Sequence, residues 1–140
     1  MKKQRVLILC TGNATRSQMA EGLLRHDAGD RFEVFSAGVK PMTHLLPETI
    51  AVMREIGIDL SAHRPKHVNE FVAQNFDYVL TVCDHARQVC PTLPGVTTIH
   101  HAFVDPGNYV GSEEERLAQF RHVRDQIREY LRTFPQNSKA

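Results

Sequence analysis

The chain has no tryptophan, only three cysteines, and a formal charge of just +1 across 140 residues. An odd, small number of cysteines does not build the disulfide scaffold of a small secreted domain, and leaves reduced thiols, at least one of them reactive. No tract of 18 or more apolar residues exists to span a bilayer, and Met1-Lys2-Lys3-Gln4-Arg5 leads into a run too short for a signal peptide core. A charge this close to zero offers no electrostatic footprint for nucleic acid or an anionic membrane surface. Internal repeats, low-complexity segments and linkers are also missing. With 41% hydrophobic and 24% charged residues in 15.9 kDa, the composition is that of one globular domain. The expectation is a cytoplasmic, monomeric protein with a single domain over residues 1–134 and a flexible tail over 135–140.

Strand-like and helix-like runs alternate along that domain. Residues 6–9, 32–35, 77–82 and 96–99 read as strands, the second closed by the turn residues Ser36-Ala37-Gly38. Residues 17–26 read as a helix with Met19, Ala20, Leu23 and Leu24 on one side, and 47–56 as another with Ile50, Met53 and Ile56 inward, ended by Gly57. Ser112 followed by Glu113-Glu114-Glu115 marks the start of a last and longest helix, whose apolar stripe is Leu117, Phe120, Val123, Ile127 and Leu131. This order predicts an α/β domain with a four-stranded parallel sheet and helices on both faces.

Chemistry is concentrated where the first strand meets the first helix, in Cys10-Thr11-Gly12-Asn13-Ala14-Thr15-Arg16-Ser17. A loop of this length can present successive N–H groups of Thr11, Gly12, Asn13, Ala14 and Thr15 to a tetrahedral anion, while Arg16 adds a planar two-pronged donor. Ser17 opens a helix whose positive end faces the same spot. The thiolate is the nucleophile, and a free thiol is only about 3% ionised at neutral pH. These surroundings are therefore expected to lower the pKa of Cys10.

Cys83 follows the third strand, and Cys90 comes seven residues later, before Pro91. Their spacing is wrong for zinc, and the eight histidines, His100-His101 included, are scattered, so no metal site is expected. On a helix the two α-carbons would lie about 10.5 Å apart, beyond the limit of about 7 Å for a disulfide, so a bridge between them requires unwinding. They are either small buried hydrophobes or redox partners of Cys10. Asp105, stiffened by Pro106 in the loop after the fourth strand, is the best-placed proton donor for an oxygen leaving a thiolate-bound oxyanion.

Taken together, Cys10-x5-Arg16-Ser17, Ser36-Ala37-Gly38, Cys83-x6-Cys90-Pro91 and Asp105-Pro106 resemble the thioredoxin-coupled arsenate reductases, which share the low-molecular-weight protein tyrosine phosphatase fold. The resemblance implies that Cys10 attacks arsenate held by the 11–17 loop while Asp105 protonates the departing oxygen. It implies that Cys83 then attacks Cys10, releasing arsenite. Cys90 next attacks Cys83, and the Cys83–Cys90 disulfide is passed to thioredoxin, with no bound cofactor. Some members carry a potassium site near Asn13 and Glu21, completed by an acidic residue; here that neighbourhood reads Arg64-Pro65-Lys66, and potassium independence is expected.

The main alternative is a low-molecular-weight phosphatase. Against it stand Gln18 where those enzymes usually have proline, Thr15 in place of a second loop cysteine, and Gly107-Asn108-Tyr109 in place of paired tyrosines after Asp-Pro. A glutaredoxin-coupled reductase would use a different cysteine arrangement, and an oxyanion-binding module would perform no turnover. Arg121, Arg124, Arg128 and Arg132 read as a solvated basic face balanced by Glu113 to Glu115.

Overall fold

Val6-Leu7-Ile8-Leu9 is apolar on both faces of any strand it forms, which suits the middle of a covered parallel sheet. A computed structural model, describing residues 2–84 and 96–135, places it there. The strands are β1 (Gln4–Cys10), β2 (Phe32–Gly38), β3 (Tyr78–Thr81) and β4 (Thr97–His100), all parallel, in the order β2-β1-β3-β4. Cys10 is in register with Gly38, and Leu9 with Thr81, which pairs with His100. The carboxyl ends therefore share one edge, and β1 is the strand at which the order reverses. Ligands of open α/β sheets bind in the crevice at such a point.

The described helices are α1 (Arg16–Ala28), α2 (Pro47–Arg54) and α3 (Glu113–Leu131). Helix α1 packs on β1, β2 and α3, and α3 also packs on α2. Met19, Leu23, Phe120 and Ile127 are fully shielded from solvent with Leu7 and Leu9, each such side chain contributing roughly 1.5–3 kcal/mol. None of these helices is long and apolar enough to cross a membrane. Residues 85–95, between β3 and β4, and the tail from 136 onward lie outside the described residues.

Three expectations are corrected. Ser36, Ala37 and Gly38 belong to β2, because they pair with Ile8, Leu9 and Cys10. In α2 the buried positions are Thr49, Val52 and Met53, with Ile50 and Ile56 only half-buried. Thr49 turns inward because its hydroxyl donates to Thr15 Oγ1 at 3.1 Å. The helix still stops at Gly57 (φ +80°), with Ile58 N donating to Met53 O and Gly57 N to Arg54 O, the paired bonds of a left-handed helix end.

The third correction concerns the arginine row. Ser112 does cap α3, exchanging bonds with Glu115, but the ion pairs of the arginines are to other acids than those of that first turn. Arg121 forks onto Glu55, Arg128 onto Asp27, and Arg132 pairs with Glu129. Arg124 is buried and donates to Val52 O at 2.7 Å and to Glu55 at 3.0 Å. The row is mostly a set of ties from α3 to α1 and α2. Replacing Arg124 by Met should lower the unfolding free energy by about 2 kcal/mol, since a shielded carbonyl loses its donor. Urea denaturation checks this, and a loss no larger than that of Arg132→Met would contradict it.

Candidate active site

The loop after β1 is shaped by what its carbonyls are bonded to. Val39 N donates to Cys10 O, Lys40 N to Thr11 O, Met42 N to Gly12 O and Leu46 N to Ala14 O, at 2.9–3.3 Å. Those carbonyls would repel an anion, and here they are turned onto the 39–46 segment. The N–H groups are what the loop has left to offer. The segment can approach this closely because residue 38 is glycine: a Cβ there would stand 2.5 Å from Thr11 O.

Asn13 holds the loop from beneath. It is fully buried with φ +50°, a left-handed conformation that asparagine tolerates better than most residues. Its amide donates to Ser17 Oγ (2.7 Å) and Ser36 Oγ (2.9 Å), and its Oδ1 accepts from Gln18 Nε2 (3.1 Å) and Lys66 N (2.9 Å). That is its full bonding capacity. Ser36 in turn donates to the buried Glu21 at 2.5 Å. Around Glu21 stand Arg25 at 2.8 Å and Lys66 Nζ and His63 at 3.6 Å. Burial pushes the His63 imidazole below its ordinary value despite the Glu21 charge.

Above this base sits Cys10, its sulfur 2.8 Å from Ser17 Oγ and 3.2 Å from Asn13 N. The expected lowering of its pKa is not what the structure produces. Burial pushes the thiol up, against the opposing pull of the Ser17 hydroxyl, the Ser17 and Asn13 N–H groups and the Arg16 charge. At 2% exposure the sulfur has exchanged most of its water for a few donors, and the loss outweighs the gain.

Arg16 lines a cavity of about 500 Å³ together with Cys10, the rest of the loop, Lys40, Met42, Leu46 and Asp105. Its Nη1 donates to Phe103 O at 3.0 Å and its Nη2 lies 3.5 Å from Asp105, whose other oxygen accepts from Gly107 N. So Asp105, Arg16 and Cys10 share one cavity. Cys83 is buried at the carboxyl end of β3, with its sulfur 3.2 Å from Thr11 Oγ1. A second sulfur therefore abuts the loop that carries the first. Cys90 lies outside the described residues. His100 joins Thr81 to Asp84, and no cluster of three or more metal-ligating side chains occurs among the described residues.

Several positioning residues were not foreseen as such: Gln18, Thr49, and the segment from Lys40 to Leu46 that ties down the loop. Their roles depend on backbone approach between distant segments, for which a single sequence carries no marker.

A sheet switch point carrying Cys10, Arg16 and Asp105 defines a class of thiol enzymes that handle tetrahedral oxyanions. Residues 5–139 match the family of low molecular weight phosphotyrosine protein phosphatases, and the chain belongs to that family. Within it, the chain is 40% identical to the arsenate reductase of Halalkalibacterium halodurans, over 99% of this chain and all of that one. A solved arsenate reductase in its oxidized state is 27% identical, with a TM-score of 0.76 and coverage of 96% of this chain and 98% of that one. The thioredoxin-dependent arsenate reductase of Corynebacterium glutamicum is 28% identical, with a TM-score of 0.67 over 93% of this chain and 62% of its own.

Because alkylation follows the thiolate fraction, a raised pKa moves the reaction of Cys10 to higher pH than that of an exposed cysteine. Ser17→Ala, which removes the strongest opposing donor, should move it higher still. Iodoacetamide rates against pH, read by peptide mass, check both; a midpoint below neutrality would contradict them.

Proposed function

We propose that this protein reduces arsenate to arsenite through successive attacks by Cys10, Cys83 and Cys90, with thioredoxin restoring the dithiol. The observation that carries this reading beyond a phosphatase is the Cys83 sulfur against Thr11. A phosphatase has no use for a second thiol there, whereas a reductase requires one. The relatives named arsenate reductase, aligned along the full chain, support the substrate, and the thioredoxin-dependent relative supports the reductant.

Arsenate enters the cradle of N–H groups beside Arg16. The Cys10 sulfur forms a bond to arsenic while an As–O bond breaks; the oxygen leaves as water, taking a proton from Asp105, and the thiol proton is released. Cys83 then attacks the Cys10 sulfur. The S–As bonding pair passes to arsenic, which falls from the pentavalent to the trivalent state, and a Cys10–Cys83 disulfide forms. Attack by Cys90 on Cys83 returns Cys10 as a thiol, and an external dithiol reduces the Cys83–Cys90 bridge by exchange. Two electrons move, and the cysteines suffice without a bound cofactor. Such a reaction suits a cytoplasmic monomer, where reduced thioredoxin is at hand.

Phosphatase activity is the second reading, favoured by the shared nucleophile, cradle and acid. It is limited by the cavity, whose lining includes no aromatic ring among the described residues, and by Tyr109, whose hydroxyl is directed to Glu115. Any such activity should be weak.

Reduced protein mixed with arsenate should lose two thiols per arsenite formed, whereas a phosphatase or a binding module loses none. Cys90→Ser should trap the Cys10–Cys83 bridge, visible by peptide mapping, and its absence would end the relay proposal. Asp105→Asn should lower kcat about 100-fold. Lys66, whose ammonium approaches Glu21, takes the place where a cation would be useful, so exchanging sodium for potassium at equal ionic strength should change neither turnover nor melting temperature.

A further inference from the structure

Among the described residues three charged side chains line the cavity, and Arg16 and Asp105 are two of them. Lys40 is the third: it lines the cavity with Cys10, Arg16 and Asp105, on the segment that ties down the anion loop. Its position is fixed by its backbone, since Lys40 N donates to Thr11 O at 2.9 Å. Its side chain is exposed and enters no ion pair or hydrogen bond among the described residues. By contrast Arg16 already donates to Phe103 O and faces Asp105, so much of its charge is answered before any ligand arrives.

We propose that Lys40 is a substrate-binding residue that captures the oxyanion at the cavity mouth and offsets the second negative charge that Arg16 leaves uncompensated. This rests on the oxyanion-handling reading of the site, and assigns it a residue that recognises dianions in particular. The lysine suits the task because an ammonium on a flexible stem meets an anion without demanding one geometry. Its attraction acts partly through solvent, so it is modest, weakened by salt, and felt in binding more than in the chemical step.

Three variants test this: Lys40→Ala, Lys40→Glu and Lys40→Arg. Inorganic phosphate is the first probe, its binding read as protection of Cys10 from iodoacetamide at fixed pH. Lys40→Ala should raise the half-protecting phosphate concentration about fivefold, Lys40→Glu about 20-fold, and Lys40→Arg less than about twofold, with all differences shrinking at high salt. With arsenate, KM should follow the same order while kcat stays within about twofold. Unchanged protection in both the alanine and glutamate variants would overturn the assignment. So would a loss that arginine does not rescue and salt does not attenuate, since that marks a steric role. Should wild type form no arsenite while the phosphate results hold, the reductase reading fails and Lys40 keeps its role.

Discussion

The site depends on one buried amide. Asn13 is held in a left-handed backbone conformation at the bottom of the anion loop, with both amide hydrogens and both carbonyl lone pairs engaged by Ser17, Ser36, Gln18 and Lys66. The partners arrive from three parts of the chain: Ser17 and Gln18 from α1, Ser36 from β2, and Lys66 from the segment beside the end of β2. A loop of small residues would otherwise sample many shapes, and ordering it costs roughly 1–2 kcal/mol per residue. Here that ordering is achieved during folding, by bonds within the chain.

The same buried network explains how a nucleophile can be held close to donors and still be disinclined to ionise. Cys10 is in contact with Ser17 and Asn13, yet its burial outweighs them. Asp105 and Arg16 line the same cavity as this thiol. Below, Glu21 collects Arg25, His63 and Lys66 around one shielded carboxylate, so the charge under the loop is answered from within the chain.

Much of this could be read from residue types in order. The apolar run of β1, the Ser112 cap of α3 and the Cys10 to Ser17 loop each announce themselves by local rules, and the parallel sheet follows from their alternation. What could not be read was decided by pairing across distance. Ser36-Ala37-Gly38 has the composition of a turn, and becomes strand only because β1 supplies a partner for each residue. The arginines of α3 pass for a solvated face until Glu55 and Asp27 are brought against them. The upward direction of the Cys10 pKa is not legible in the sequence, because donors are visible there and the depth of burial is not.

The most direct test of the claim that Asn13 preorganises the cradle is the phosphate affinity of Asn13→Gly, measured by calorimetry. Glycine accepts φ +50° without strain, so only the side-chain bonds are removed. Affinity should fall more than about tenfold while the far-ultraviolet circular dichroism is retained. Binding within about twofold of the wild type would contradict the account.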